Sequence, residues 1–190
     1  MKTETAMIQS LSSIAAPTFE AHSEQARIWI YQSTKPFSEA QLLELEARLT
    51  HFVAQWQTHG KPLVASWSVL YARIIVLSVE ERVVAVSGCA IDSSVALMRQ
   101  IEKDFELSLF ERKLVTVQME DAFAENGAED GTENRIKTLS LEALKQALLE
   151  KKVTPNTLVF NALAATKGEL MAQMWQPLAQ TWLKRFLPSH

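Results

Sequence analysis

Several features that define common protein classes are scarce or missing in this chain of 190 residues. Its single cysteine, Cys89, excludes an internal disulfide framework, and without a CxxC pair we expect no zinc cluster. No apolar run approaches the length that crosses a bilayer, and the first residues lack the apolar core of a signal peptide. The sequence therefore predicts a cytoplasmic protein with no metal site, no cofactor and no membrane partner.

The sequence also lacks a large excess of positive or negative charge and the common phosphate-binding motifs. The formal net charge is only -3, and the basic residues are scattered, so we expect no nucleic-acid partner. The patterns GxxxxGK[ST], GxGxxG and GxSxG do not occur, which removes the common nucleotide-binding and hydrolase fingerprints. The composition, with 47% hydrophobic and 22% charged residues, is otherwise that of an ordinary globular protein.

The chain organisation predicts one domain with an extension. Residues 1–25 are polar and without sustained periodicity, so we interpret them as an N-terminal extension that is partly flexible. Residues 26–190 are expected to form a single domain. Within it, residues 121–134 are acidic and punctuated by glycines, which predicts a mobile loop.

Helix signals are clear at four places. Ser38 and Gln41 form a capping box before a helix that Gly60 is expected to end. A second helix is predicted over 93–105 and a third after Ser140. A last helix follows a capping box at 166–169, and Pro177 predicts a kink in it or a break into two pieces.

Strands are predicted at six places: 27–31, 63–71, 73–79, 83–86, 113–119 and 157–163. The segment Ile74–Leu77 is apolar on both faces, which predicts a central strand. Together these patterns predict an α+β (mixed α/β) fold, with one mixed sheet of about six strands and about four helices packed on it.

The stretch around Cys89 is the most informative part of the chain. The strand predicted at 83–86 breaks at Gly88 and enters a helix through Asp92 and Ser93. One interpretation makes Cys89 a thiolate nucleophile at a helix start, with Asp92 as its catalytic companion. The other makes Cys89 a small buried hydrophobic residue, which is the commoner state of a free cysteine.

The same turn offers an anion-binding alternative. Gly88, Ser93 and Ser94 can form a nest for a phosphate or carboxylate, unless Asp92 caps the helix and occupies the same amides. His59 is expected at the end of the first helix, and it joins a ligand-binding site only if the fold brings it near Cys89.

The C-terminal aromatic residues provide a candidate partner surface. The stripe of the predicted last helix includes Trp175, Trp182 and Phe186. It is expected to dock on the protein's own sheet or to form a homo-oligomer contact, since tryptophan is enriched in interfaces.

Several motifs together carry a family resemblance over about residues 25–187. They are Arg27–Gln32, His59-Gly60, the run Ser87-Gly88-Cys89-Ala90-Ile91-Asp92-Ser93-Ser94-Val95, Val159-Phe160-Asn161, and Trp182 with Arg185-Phe186. The chain resembles a family of small uncharacterised bacterial proteins that often carry the label "ABC transporter ATPase". Ala90 stands where that motif is expected to hold serine. An ATPase of that kind needs a P-loop lysine, which this sequence lacks, so the resemblance implies no activity.

Three functions remain as hypotheses. The first is a non-catalytic binding or interaction protein, self-associating, with an unidentified small-molecule ligand. The second is an enzyme that uses Cys89 on a small acyl or thiol substrate. The third is a binder of a small anionic ligand at the 87–94 turn.

Overall fold

The computed structural model describes residues 14–16, 18–111, 113–119 and 135–187. Helices and strands are mixed along the chain, which confirms the α+β prediction. Where the sequence suggests one domain over 26–190, the chain divides into two compact units. The first unit holds the described residues up to Phe110 together with Leu163–Ala172. The second holds those of Glu111–Ala162 and those from Gln173 onward.

The elements are named in chain order. The strands are β1 (Ile14–Ala15), β2 (Arg27–Gln32), β3 (Gln57–Thr58), β4 (Lys61–Pro62), β5 (Ala65–Leu70), β6 (Ile74–Val79), β7 (Leu114–Gln118), β8 (Ile136–Ser140), β9 (Leu158–Phe160) and β10 (Trp175–Pro177). The helices are α1 (Glu39–Gln55), α2 (Gly88–Asp104), α3 (Leu141–Leu149) and α4 (Lys167–Ala172), and 3₁₀ turns follow at Leu178–Gln180 and Trp182–Phe186.

The first unit is built on an antiparallel sheet of four strands in the order β1-β5-β6-β2. Every residue of β6 is buried, as expected for a strand that is apolar on both faces and lies between two neighbours. Helices α1 and α2 add buried side chains to the same core, namely Leu45 and Leu49 from α1 and Met98 and Ile101 from α2. Ser38 caps α1 through the predicted capping box with Gln41.

The second unit has its own antiparallel sheet, in the order β10-β9-β7-β8. Helix α3 begins after Ser140, whose side chain accepts a hydrogen bond from the Ala143 amide, as the sequence predicts. The core of this unit includes Val117, Leu144 and Leu178. The single six-stranded sheet was therefore a wrong prediction: the strands form two four-stranded sheets and the two-stranded ribbon β3–β4.

The predicted strand at 83–86 and the predicted start of α2 were both wrong. Residues 81–87 form turns and irregular chain, and α2 begins at Gly88. The carboxylate of Glu81 accepts a hydrogen bond from the Val86 amide, so this amide is not available for pairing with a neighbouring strand.

Two further helix predictions extend too far. Helix α1 ends at Gln55, and His59 and Gly60 form the two-residue turn of the β3–β4 hairpin. Both residues have positive φ, 47° and 77°, as a type I′ turn requires. The predicted C-terminal helix ends at Ala172, and Pro177 lies in β10, an edge strand where a missing N–H is tolerated.

Part of the predicted N-terminal extension belongs to the first unit. Strand β1 pairs with β5, and Phe19 and His22 are buried. The ammonium group of Lys167 donates hydrogen bonds to the backbone carbonyls of Phe19, Glu20 and His22 at 2.7–2.9 Å. The remainder of residues 1–25 and the acidic loop 121–134 lie outside the described residues.

Candidate functional site

A concave pocket of about 480 Å³ lies in the first unit. Helix α1, the β3 end of the hairpin and the first three turns of α2 form its walls. Its lining residues are Arg48, His51, Phe52, Gln55, Trp56, Gln57, His59, Ser87, Cys89, Ala90, Ser93 and Leu97. Two residues that the sequence analysis could not bring together, Cys89 and His59, therefore share one pocket.

Helical spacing explains the contribution of α1. Arg48, His51, Phe52 and Gln55 recur at three- and four-residue intervals, which places them on one face of the helix. This face overlaps the face of α1 that buries Leu45 and Leu49, because both faces point toward the core of the first unit. On α2, Cys89, Ser93 and Leu97 repeat the four-residue interval.

Two hydrogen bonds, one buried and one partly buried, hold the walls together. The indole N–H of Trp56 donates to the Ala90 carbonyl at 2.8 Å, and the Ser87 amide donates to the Thr58 hydroxyl at 3.2 Å. Trp56 and Thr58 are each 3% exposed. Thr58 precedes His59, and Ser87 lies two residues before Cys89. The bonds therefore hold the hairpin turn and the start of α2 next to each other at the pocket.

Ser87 is the N-cap of α2, so Asp92 does not cap the helix as the sequence suggested. The backbone of Ser87 is extended, and its side chain accepts a hydrogen bond from the Ala90 amide at 3.3 Å. The first helical backbone bond runs from the Ile91 amide to the Ser87 carbonyl. Among the described residues no acceptor bonds the amides of Gly88 and Cys89, so both remain available at the positive end of the helix dipole.

Cys89 is exposed in the first turn of α2, so the prediction of a buried cysteine was wrong. The thiol lies on the pocket wall with His59, His51 and Ser93. It is thus accessible to a ligand or an alkylating reagent.

The other candidate residues separate into two groups. Ser93 lines the pocket, although its hydroxyl donates to the Ala90 carbonyl at 2.7 Å. Gly88 and Asp92 are exposed and do not line it. Ser94 is buried and its hydroxyl donates to the Ile91 carbonyl. Burial raises the pKa of Tyr31, and a hydrogen bond with Ser94 opposes that shift, which places Ser94 against the core.

Charge on the pocket wall is one-sided. The lining includes Arg48, His51 and His59 but no aspartate or glutamate. The Arg48 guanidinium binds the carboxylates of Asp104, at 2.6 Å, and Glu44, and these contacts raise its pKa. Its charge is therefore compensated locally, whereas no carboxylate is paired with His51 or His59 among the described residues.

Sequence reasoning missed His51, Gln55 and Gln57 as pocket residues. The three- and four-residue intervals on α1 were visible in the sequence. The buried residues of α1 follow the same intervals, so spacing alone does not distinguish pocket residues from core residues. The β3–β4 hairpin, which follows Trp56, determines which side chains of α1 and β3 lie close to α2.

Neither a metal centre nor a membrane span is found in the described part of the chain. No group of three or more histidine, cysteine, aspartate or glutamate side chains there could hold a metal ion. None of the helices in that part is both long and apolar enough to cross a bilayer. Comparison of the chain with protein-family models, with curated proteins and with solved structures gave no match.

Proposed function

We propose that the first unit is a small-molecule-binding module and that the pocket between α1, the β3–β4 hairpin and α2 is its binding site. The observation that carries the proposal is the pocket itself. Its volume of about 480 Å³ lies in the range of small-molecule sites, about 300–1,000 Å³. Its wall combines aromatic and aliphatic surface with a few polar groups, which is also typical of such sites.

The fixed geometry of the wall supports the proposal. The rings of Phe52 and Trp56 pack with centroids 4.9 Å apart, and Trp29 meets Trp56 edge to face at 5.8 Å. With the bonds to Ala90 and Thr58, these contacts hold the apolar wall in place before a ligand arrives. A preformed site loses less conformational entropy on binding than a mobile one.

A fragment screen read by NMR tests this function. The indole N–H of Trp56 gives a separate signal at the pocket, and the indole N–H of Trp182, in the second unit, serves as the internal control. We expect some fragments to shift the Trp56 signal alone. We also expect Ser93→Phe, which fills the pocket from α2, to abolish those shifts.

Two results would contradict the proposal. The first is a screen in which no fragment shifts the Trp56 signal selectively. The second is a set of shifts that persists in a folded Ser93→Phe variant.

A second candidate function is an enzyme that acts on a small acyl substrate through Cys89. The observation that favours it is that an exposed thiol and His59 line one pocket. In this scheme His59 accepts the thiol proton and the thiolate attacks the acyl carbonyl carbon. The leaving group departs with that proton, and water then hydrolyses the thioester. Asp92 lies outside the pocket lining, so we assign it no role in the scheme.

The pH dependence of alkylation tests this second candidate. The enzyme scheme predicts that iodoacetamide labels native Cys89 at a pH where free cysteine is mostly protonated, and that His59→Gln removes this reactivity. Labelling that follows the pH profile of a free thiol, unchanged in His59→Gln, would leave only the binding function.

We further propose a cytoplasmic protein that self-associates through its C-terminal aromatic residues. In support, Trp182 is 42% exposed and meets Phe186 edge to face, with the Arg185 guanidinium over both rings. Sedimentation of wild type and Trp182→Ala tests it. A monomeric wild type would overturn it.

A further inference from the structure

We infer that the ligand of this pocket is an organic anion with an apolar body, bound with its anionic group near the start of α2 and its apolar part on Phe52 and Leu97. The inference rests on the proposed binding function and adds the chemical class of the ligand. Three features of the pocket carry it: the sign of the charged side chains, the orientation of α2 and the composition of the opposite wall.

The charged side chains select against cations. None of the lining residues, all of them in the described part of the chain, carries a carboxylate, and three have basic side chains. Arg48 is bound by two carboxylates, those of Asp104 and Glu44, so this cluster adds no net positive charge to the pocket. His51 and His59 are basic side chains that have no carboxylate partner among the described residues.

Helix α2 adds to the same preference. It is 17 residues long, and its N-terminal turn contributes Ser87, Cys89 and Ala90 to the pocket. The Ser87 side chain satisfies the Ala90 amide but leaves the Cys89 amide for another acceptor. A helix start with free amides and a positive dipole end favours a carboxylate, sulfonate or phosphate group.

The opposite wall selects against a bare inorganic anion. Phe52 and Leu97, which are half-buried, present apolar surface that inorganic phosphate would leave uncovered. Burying this surface favours a ligand with an aromatic or aliphatic body, because removing apolar area from water is favourable. The two halves of the pocket therefore point to an amphipathic acid.

A matched pair of probes tests the charge preference. The anion is 8-anilinonaphthalene-1-sulfonate, and the neutral partner is N-phenyl-1-naphthylamine, which has the same aromatic skeleton without the sulfonate. At low salt we expect the anion to bind at least about tenfold more tightly, a difference of about 1.4 kcal/mol. Binding is read from the Trp56 indole signal, so that probes bound elsewhere are not counted.

Variants locate the preference. We expect His51→Gln with His59→Gln to bring the anion's affinity down to that of the neutral probe. Lys103→Gln, which removes a positive charge from the other end of α2, should leave the ratio unchanged. Inorganic phosphate should compete with the sulfonate only weakly.

The outcomes separate this inference from the proposed function. Equal affinity of the two probes, both lost in Ser93→Phe, overturns the anion preference and leaves the binding site standing. Displacement of the sulfonate by phosphate at equal concentration overturns the apolar part of the inference. If neither probe shifts the Trp56 signal, or if both do so in Ser93→Phe, the proposed site itself is wrong.

Discussion

At the scale of single residues, His22 has the most unusual environment in the first unit. It is 7% exposed, and its Nδ1 is hydrogen bonded to the Ser78 hydroxyl at 2.7 Å. Its Nε2 is buried without a hydrogen-bond partner among the described residues. Burial lowers the pKa of this imidazole and the Lys167 ammonium lowers it further, against an opposing contribution from Glu80.

This environment predicts that His22 destabilises the folded protein in acid. The unfolded chain takes up the His22 proton near pH 6.5, whereas the folded chain takes it up only at lower pH. The contribution of the neutral imidazole is therefore complete above about pH 6.5 and is lost as the pH falls from that value through the folded-state pKa.

Urea unfolding of wild type and His22→Asn between neutral and acid pH checks this prediction. Asparagine keeps a polar atom close to Ser78 but does not titrate. Carboxylates lose their contributions in both proteins, so only the difference is informative. We expect wild type to lose more stability than the variant over this range, and parallel losses would contradict the account.

Trp56 is the residue that connects the two walls of the pocket. Trp56→Phe keeps most of the apolar contact but removes the indole N–H and leaves the buried Ala90 carbonyl without that donor. We expect the free energy of unfolding to fall by about 0.5–1.5 kcal/mol, because the Ser93 hydroxyl still donates to that carbonyl. Trp182→Phe is the control, because its ring is partly exposed, and a change within about 0.5 kcal/mol is expected. Equal effects of the two substitutions in urea unfolding would show that the bond to Ala90 contributes little.

At the scale of elements, the two helical glycines predict opposite effects. A Cβ on Gly168, in α4, would lie 2.9 Å from both Cβ and the carbonyl oxygen of Glu24, and the Gly168 amide donates to that carbonyl at 2.7 Å. Gly168→Ala therefore forces the backbone near Glu24 to move and should cost about 1–3 kcal/mol.

Gly88 provides the matched control, because a Cβ there meets nothing within 4 Å. Gly88→Ala should leave stability unchanged or raise it by up to about 1 kcal/mol, since alanine favours a helix. Thermal unfolding of both variants measures the contrast. A stable Gly168→Ala protein would contradict the close packing of residue 24 against α4.

Element signals in the sequence were reliable where local chemistry decided the outcome. The capping box at Ser38 and the cap at Ser140 mark the starts of α1 and α3, and the two-sided apolar run of β6 marks a central strand. These features depend on contacts between residues close in sequence, or on burial that hydropathy reports directly.

Other boundaries depend on distant contacts, which the sequence does not display. The chain at 83–86 has strand-like residues, but Glu81 bonds the Val86 amide and Thr58 bonds the Ser87 amide. Likewise, Trp175–Pro177 continues a helical stripe in sequence but pairs with β9. Of the candidate site, the sequence identified Cys89, His59 and Ser93, while the meeting of α1 with α2 required the fold.

At the scale of the whole molecule, the two units differ in the candidate functional residues that they contain. The pocket, both candidate histidines and the cysteine belong to the first unit. The second unit contributes a separate sheet and core, with the aromatic and basic residues of the last 3₁₀ turn on its surface. We therefore propose ligand binding for the first unit and self-association for the second.

The most direct test of the central claim uses Cys89, the single cysteine, as a reporter inside the pocket. Iodoacetamide labelling of the native protein is followed by mass spectrometry, with and without a saturating concentration of 8-anilinonaphthalene-1-sulfonate. The account predicts one label per chain on the native protein and a rate at least about tenfold slower when the anion is bound, because the ligand covers the thiol. Labelling at the same rate with the anion bound, or labelling only after denaturation, would contradict it.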